Sequence, residues 1–374
     1  MTLTQPLRRA RLLRALPLAA LALVAAPTLA QVRVESSAPS AVLPDLSPAV
    51  PSVQMPAVDV QTLLSEDANA GKGVPFRYGD RIRLGFDLKE LAGAEVLPDG
   101  GTVWRLRLES RGAYSVGLEF DEYVLPVGAG LWLHSDDGRT TLGAFTALNN
   151  KANEQFAIQP MPGDAVTLEY VEPAGVSAPG RVVLGGLIHD YRDVWTDTEF
   201  KGGGFLGSGG CNVDVNCPQG ADFQDEKRAV ARILNGGFFC TGSLIGNTAN
   251  DGKQLFWTAN HCGGMNNAIF LFNYERSGCG SGGSSTSDSV QGSVLLANNS
   301  SVDYRLIRLT ETIPASYDPY WLGWNRSSSN PSSTVSIHHP SGDRKKISFD
   351  DDPATKSGSD WRIAQWDLGV TEGG

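Results

Sequence analysis

The sequence reads as an all-β protein built in two successive parts, and three observations carry that reading. Between about Phe76 and Trp195, short runs alternate apolar and polar residues, as a half-buried strand requires. Turn residues interrupt those runs so often that an antiparallel sandwich fits better than any helical arrangement. From Cys211 onward, apolar β-prone runs recur at 237–245, 255–257 and 304–309.

The elements follow in order. Residues 1–30 have the form of a secretory leader. Arg8, Arg9, Arg11 and Arg14 precede an apolar stretch at 16–26, and Thr28-Leu29-Ala30 supplies a small-residue cleavage site. The apolar stretch is too short to span a bilayer comfortably. A secreted protein is expected, with no membrane association after leader removal. Residues 31–75 are rich in Pro, Ser, Ala and Val without a clear period, which predicts a linker or disordered arm. In the 76–195 sandwich, residues 103–109, 114–120, 130–134 and 165–171 read as strands, and Asp136-Asp137-Gly138 reads as a turn. His134 and His189 lie near Asp136 and Asp190, a pairing typical of surface or capping groups. Residues 196–210 are Gly-rich and form a flexible joint, a favoured place for proteolytic nicking.

Composition narrows the function. The formal net charge is -10 and no basic block is present, so no nucleic-acid partner is expected. All five cysteines lie between Cys211 and Cys279. In an exported chain they read as disulfides, and the odd number leaves one without a partner.

The second part, 211–374, is organised around Leu255-Phe256-Trp257-Thr258-Ala259-Asn260-His261-Cys262. An apolar strand ends in a small-residue turn that delivers a histidine. Cys240 lies on a strand upstream, and Asp303 heads a strand 42 residues downstream of His261. Peptide hydrolysis near neutral pH needs an activated nucleophile, a base and oxyanion donors. A histidine oriented by an aspartate supplies the base. The alternatives for His261 are a zinc ligand or a satisfied loop histidine. His338 and His339 are adjacent on a strand and so point to opposite faces, which speaks against a metal there. No metal and no cofactor is expected.

These motifs resemble the trypsin/chymotrypsin-like serine peptidases, and most closely the bacterial lysyl endopeptidases. The residues that carry the resemblance are Cys211 to Pro218, Cys240-Thr241-Gly242-Ser243-Leu244, residues 247–251, the Thr258-Ala259-x-His261-Cys262 turn, Ile337-His338-His339-Pro340 and Gly369-Val370-Thr371-Glu372. The resemblance runs from Cys211 to Gly374. It implies a trypsin-like double β-barrel with the second barrel incomplete. It also implies His261 and Asp303 as catalytic residues, with disulfides Cys240–Cys262 and Cys217–Cys279. Cys211 is left unpaired, its partner expected in the second barrel. Gly374 is implied as an oxyanion-hole donor, with the nucleophilic serine about two residues beyond it, so the chain through Gly374 is expected to be an inactive fragment. Ser243 lies in a barrel strand and Ser281 in a Gly/Ser loop, and neither is expected to replace that serine. The family places a folding and blocking pro-region where the sandwich lies, so the chain is expected to be a zymogen cut near Lys201. Protein or peptide substrates, cleaved after Lys or another basic residue, follow from the resemblance. The alternatives are a non-catalytic secreted β-protein on a protease-like scaffold, or an adhesin whose working part is the sandwich.

Overall fold

A computed structural model describes residues 36–71, 73–194 and 208–374. The expected leader at 1–30 and most of the Gly-rich joint, Lys201 included, lie outside the described residues. The architecture is all-β. Among the described residues, no helix is long and apolar enough to cross a membrane.

The amino-terminal part is a sandwich of two sheets. One runs Ser52–Gln54, Thr102–Glu109, Ala165–Glu172, Gly130–Ser135, Thr141–Phe145, with Gly93–Val96 also paired to Thr102–Glu109. The other runs Gly79–Asp87, Arg181–Asp190, Ser115–Val124, Phe156–Pro162. The alternation read from the sequence is the reason. Leu106, Leu108, Leu131 and Leu168 point inward from the first sheet and meet Phe120 and Phe156 of the second, all of them fully buried or nearly so.

Two segments differ from the sequence reading. The region 31–75, expected to be a loose arm, contributes a strand and a helix to the fold. Ser52–Gln54 adds a parallel strand to the first sheet. Val60–Ala68 is a helix capped by Asp59, whose carboxylate accepts the Thr62 N–H at 3.1 Å. Its Asp67 accepts hydrogen bonds from Arg77, Arg192 and Tyr191, which tie the helix to the sandwich. Arg192 and Tyr191 are remote in sequence, so no local period announces the element. The sandwich also carries a short helix, Leu88–Leu91, where none was needed to explain the pattern.

The second part begins with a sheet in the order Ser289–Gln291, Ile269–Leu271, Val230–Asn235, Phe238–Ile245, Leu255–Thr258, Tyr304–Leu309, Ser293–Asn299. Its two end strands are separated in the chain by Gly292 alone, so the sheet must curl until its ends meet. Gly292 makes that seam: its N–H donates to Ala268 and its carbonyl accepts from Thr310. Its φ is +86°, and a Cβ there would lie 2.7 Å from Thr310 Oγ1. The barrel is filled by Ile233, Leu244, Phe256, Phe270 and Phe272. A three-stranded sheet follows, in the order Val213–Asp214, Lys346–Asp350, Thr334–His338.

The two parts share a core. Tyr78, Ala157, Ile188 and Val194 of the sandwich are buried against Leu234, Phe239, Ile269, Leu271 and Tyr274. Phe76–Arg77 pairs antiparallel with Phe238–Phe239, so the sandwich adds a short strand to the barrel sheet.

Phe256 has no exposed surface and meets Phe270 edge-on at 5.1 Å. Phe256→Ala is expected to cost about 3–5 kcal/mol of barrel stability, read as a lower urea midpoint for the barrel transition.

Candidate active site

His261 is delivered by the Leu255–Thr258 strand, which is paired on one side with Phe238–Ile245 and on the other with Tyr304–Leu309. The second strand brings Cys240 under the histidine turn, where it is bonded to Cys262. The third brings Asp303, at its head, beside His261. Two further ties fix the turn. Thr258 Oγ1 donates to the Thr241 carbonyl at 2.8 Å, and Asn235 Nδ2 donates to the Cys262 carbonyl at 2.9 Å.

Asp303 holds the imidazole at two points. Its Oδ2 lies 2.5 Å from His261 Nδ1, and its Oδ1 accepts the His261 backbone N–H at 2.9 Å. Its own carbonyl accepts the Asn260 N–H at 3.2 Å. Asp303 has φ +46°, a left-handed conformation that aspartate tolerates better than most residues. An ionised carboxylate can only accept, so Nδ1 carries the hydrogen and Nε2 is left with its lone pair free. Burial pushes the Asp303 carboxyl up, but the hydrogen bonds from the His261 ring and backbone, the imidazole's charge and the Asn260 N–H outweigh it and hold the group below the usual carboxylate range. The pair is partly open to solvent, with side-chain exposures of 33% and 48%.

An open cleft of about 700 Å³ adjoins Asp303. Asp303, Thr241, Trp257, Ser336, Ile337 and Trp366 are among its lining residues. Among the described residues, His261 makes side-chain hydrogen bonds to Asp303 alone. Cys240, His261 and Cys262 cluster closely enough to suggest a metal site. The two sulfurs are bonded to each other, so neither is a thiolate able to bind an ion.

Residues 205–374 match the family of lysyl endopeptidase C-terminal domains. The chain is also 28% identical over 335 residues to a lysyl endopeptidase of Pseudomonas aeruginosa, covering 81% of this chain and 70% of the relative. Residues 205–374 are thus similar to lysyl endopeptidases.

Within the lysyl endopeptidase-like domain, Cys217 is bonded to Cys279 as well as Cys240 to Cys262, and Cys211 is exposed with a free thiol. Gly374 packs so tightly on the turn at 339–342 that a Cβ there would lie 2.0 Å from the His339 carbonyl oxygen. The same turn holds Gly373, whose carbonyl accepts the Ser341 N–H at 2.6 Å. The His339 N–H in turn donates to Thr241 Oγ1 at 3.0 Å, so Gly374 and the cleft share a neighbour. Ser243 lines the cleft from its strand, while Ser281 sits in the loop closed by Cys279. His338 and His339 are both buried. His339 Nδ1 is bonded to the Asp343 carbonyl, and neither ring nitrogen of His338 has a partner among the described residues.

Two features escaped the sequence reading. Asn260 Oδ1 accepts from Asn298 Nδ2 at 2.8 Å and from Arg305 Nη2 at 3.2 Å, which anchors the residue before His261 to the strands flanking Asp303. Trp257 stacks on Tyr304 with ring centroids 5.0 Å apart. The positions of these residues, beside His261 and Asp303, were the available signal; their mutual contact depends on strand register.

Replacing Cys240 and Cys262 together by alanine is expected to lower barrel stability by about 2–4 kcal/mol, measured by urea unfolding against the parent. A pH effect comes from His338, whose imidazole is pushed down to about 4 by burial, against the opposing pull of Glu372. An unfolded imidazole titrates near pH ~6.5, so between the two values the unfolded chain binds more protons than the native one. The contribution is fully present above that upper value and is lost as pH falls toward the lower. The urea midpoint of the barrel part is expected to drop on acidification across this window. His338→Leu is expected to remove part of the slope, since no hydrogen bond is lost with the ring.

Proposed function

We propose that this chain is the greater part of a secreted serine endopeptidase precursor in which His261 is the general base and Asp303 its orienting carboxylate. The observation that carries the reading is the two-point hold of Asp303 on His261, with Nδ1 committed to the carboxylate and the imidazole part-exposed. In that arrangement Nε2 takes the proton of an attacking serine hydroxyl and returns it to the leaving amine, while Asp303 stabilises the imidazolium formed in between. The serine is contributed by the segment that follows Gly374, and the backbone N–H of Gly374 is one oxyanion donor. The close fit of Gly374 on the His339 carbonyl supports a role that needs glycine and a fixed N–H direction.

The substrates are proteins and peptides. Cleavage after lysine, or another basic residue, rests on the name of the relative and on the motif resemblance. Export rests on the leader and the two disulfides, and no cofactor enters the mechanism. The chain is made as a zymogen, with the sandwich as pro-region and cleavage near Lys201.

The test is to read the coding sequence after the Gly374 codon and assay the complete product on a lysyl amide substrate. A Gly-x-Ser-Gly-type turn in frame, a later cysteine for Cys211, and hydrolysis support the reading. A stop codon directly after Gly374, or a product that binds but does not cleave, favours the scaffold reading instead. In the active product, His261→Ala is expected to lower kcat by about 10⁴-fold or more and Asp303→Asn by about 10⁴-fold, with both variants keeping the parent's circular dichroism.

A further inference from the structure

Residues 369–374 belong to no strand, so their position rests on single bonds rather than on a ladder. The Val370 carbonyl accepts Ser348 Oγ at 2.7 Å, and the Gly373 carbonyl accepts the Ser341 N–H at 2.6 Å. Between those two points stands Glu372, whose carboxylate gathers donors from two distant segments. Its Oε1 accepts the Gly209 N–H at 2.8 Å and Asn212 Nδ2 at 2.7 Å, while its Oε2 accepts Ser341 Oγ at 3.0 Å.

The first described residues of the domain are folded to make this contact. The Asn212 N–H and Nδ2 both donate to the Gly209 carbonyl, at 2.9 and 3.1 Å, which closes a turn with its remaining donors on Glu372. Ser208 is tied alongside, its N–H and Oγ donating to Asp343 Oδ2 at 3.2 and 2.8 Å. Val213 and Asp214 then pair with Ile347 and Lys346. A Cβ on Gly209 would lie 3.0 Å from Glu372 Oε1, so the approach leaves little slack. Hydrogen bonds to an ionised carboxylate are stronger than neutral ones. Three of them on one side chain hold a piece of backbone that no strand holds.

We propose that Glu372 is a positioning residue: its carboxylate clasps Gly209 and Asn212, at the start of the domain, to the 340–342 turn, and so fixes Gly373 and the N–H direction of Gly374. This deepens the proposed peptidase function and rests on it for its kinetic consequence. What matters is the set of three bonds, and a glutamine amide can keep it: its oxygen accepts from Gly209 and Asn212, and its nitrogen donates to Ser341 Oγ. Every group in the clasp lies at residue 208 or later, so a cut near Lys201 neither makes nor removes it.

The experiment uses the complete product, read through the segment that follows Gly374. On a lysyl amide, Glu372→Ala is expected to lower kcat by about tenfold or more while KM changes by less than about threefold, and Glu372→Gln is expected to recover most of the loss. A Glu372→Gln variant as slow as Glu372→Ala, or a loss carried by KM, would mean that the charge meets substrate and would overturn the proposal. Asn212→Ala is expected to lower kcat by itself and to add little once residue 372 is alanine, whereas full additivity would count against the clasp. Hydrogen exchange with mass spectrometry reads the clasp without turnover. Peptides covering 208–212 and 369–374 are expected to exchange about tenfold faster in Glu372→Ala than in the parent or Glu372→Gln, with the 255–258 strand unchanged. If that strand loses protection too, Asn212→Ala carries the same comparison. Unchanged exchange in both peptides overturns the proposal whether or not the product hydrolyses. A product that never hydrolyses but shows the exchange difference overturns the peptidase reading and the kinetic role, and leaves the clasp standing.

Discussion

The arrangement depends on one strand, Phe238–Ile245. It is hydrogen-bonded to Val230–Asn235, to Leu255–Thr258 and, at its start, to Phe76–Arg77. Cys240 covalently fixes the turn that carries His261, and Thr241 bonds to Thr258 through its carbonyl and to His339 through its hydroxyl. Gly242 sits opposite Thr258, where a Cβ would lie 2.3 Å from the Phe256 ring. Any larger residue there would push the histidine strand away from the strand that ties it down. The position of the imidazole is thus set by a short stretch of backbone that tolerates little change.

Much of this was legible in the sequence, for reasons that are local. Alternation marks strands because side chains on a strand alternate faces, and the Thr-Ala-x-His-Cys turn is contiguous. Asp303 could be placed at the head of its strand by the same logic. What was not legible depends on pairing. The strand Ser52–Gln54 and the helix Val60–Ala68 gain their order from Thr102–Glu109, Arg192 and Tyr191, all distant in sequence. A Pro- and Ser-rich stretch carries no periodic signal of such partners. The hold of Asn298 and Arg305 on Asn260 was hidden in the same way, because it needs the register of two strands to be known.

The shared core shows why a sandwich and a barrel with separate interiors behave as one unit. Arg232 has 1% of its surface exposed and lies between two rings, with its guanidinium carbon 3.9 Å from the Tyr274 centroid and 4.6 Å from that of Phe239. Its Nη1 donates to the Gly342 carbonyl at 2.6 Å. A buried cation is costly unless its donors and its charge are answered. Here two aromatic faces meet the charge and the Gly342 carbonyl takes one donor, a geometry that works only if Phe239 is held in place. Tyr78, from the sandwich, stacks on that ring and supplies the hold.

The consequence reaches the end of the chain. Gly342 lies so close to Phe239 that a Cβ would stand 2.1 Å from the ring, so the ring fixes the 340–342 turn as well as the guanidinium. That turn presents the Ser341 N–H to the Gly373 carbonyl and receives Gly374 against the His339 carbonyl. Phe76 and Arg192 of the sandwich, with Phe238, Ser341 and Gly373, line one cleft of about 510 Å³ on this side of the molecule. A displacement of Tyr78 would loosen Phe239, then the cation and turn packed on it, and so the last residues of the chain. The sandwich thus sits where it can order the segment around Gly374 without touching His261 or Asp303.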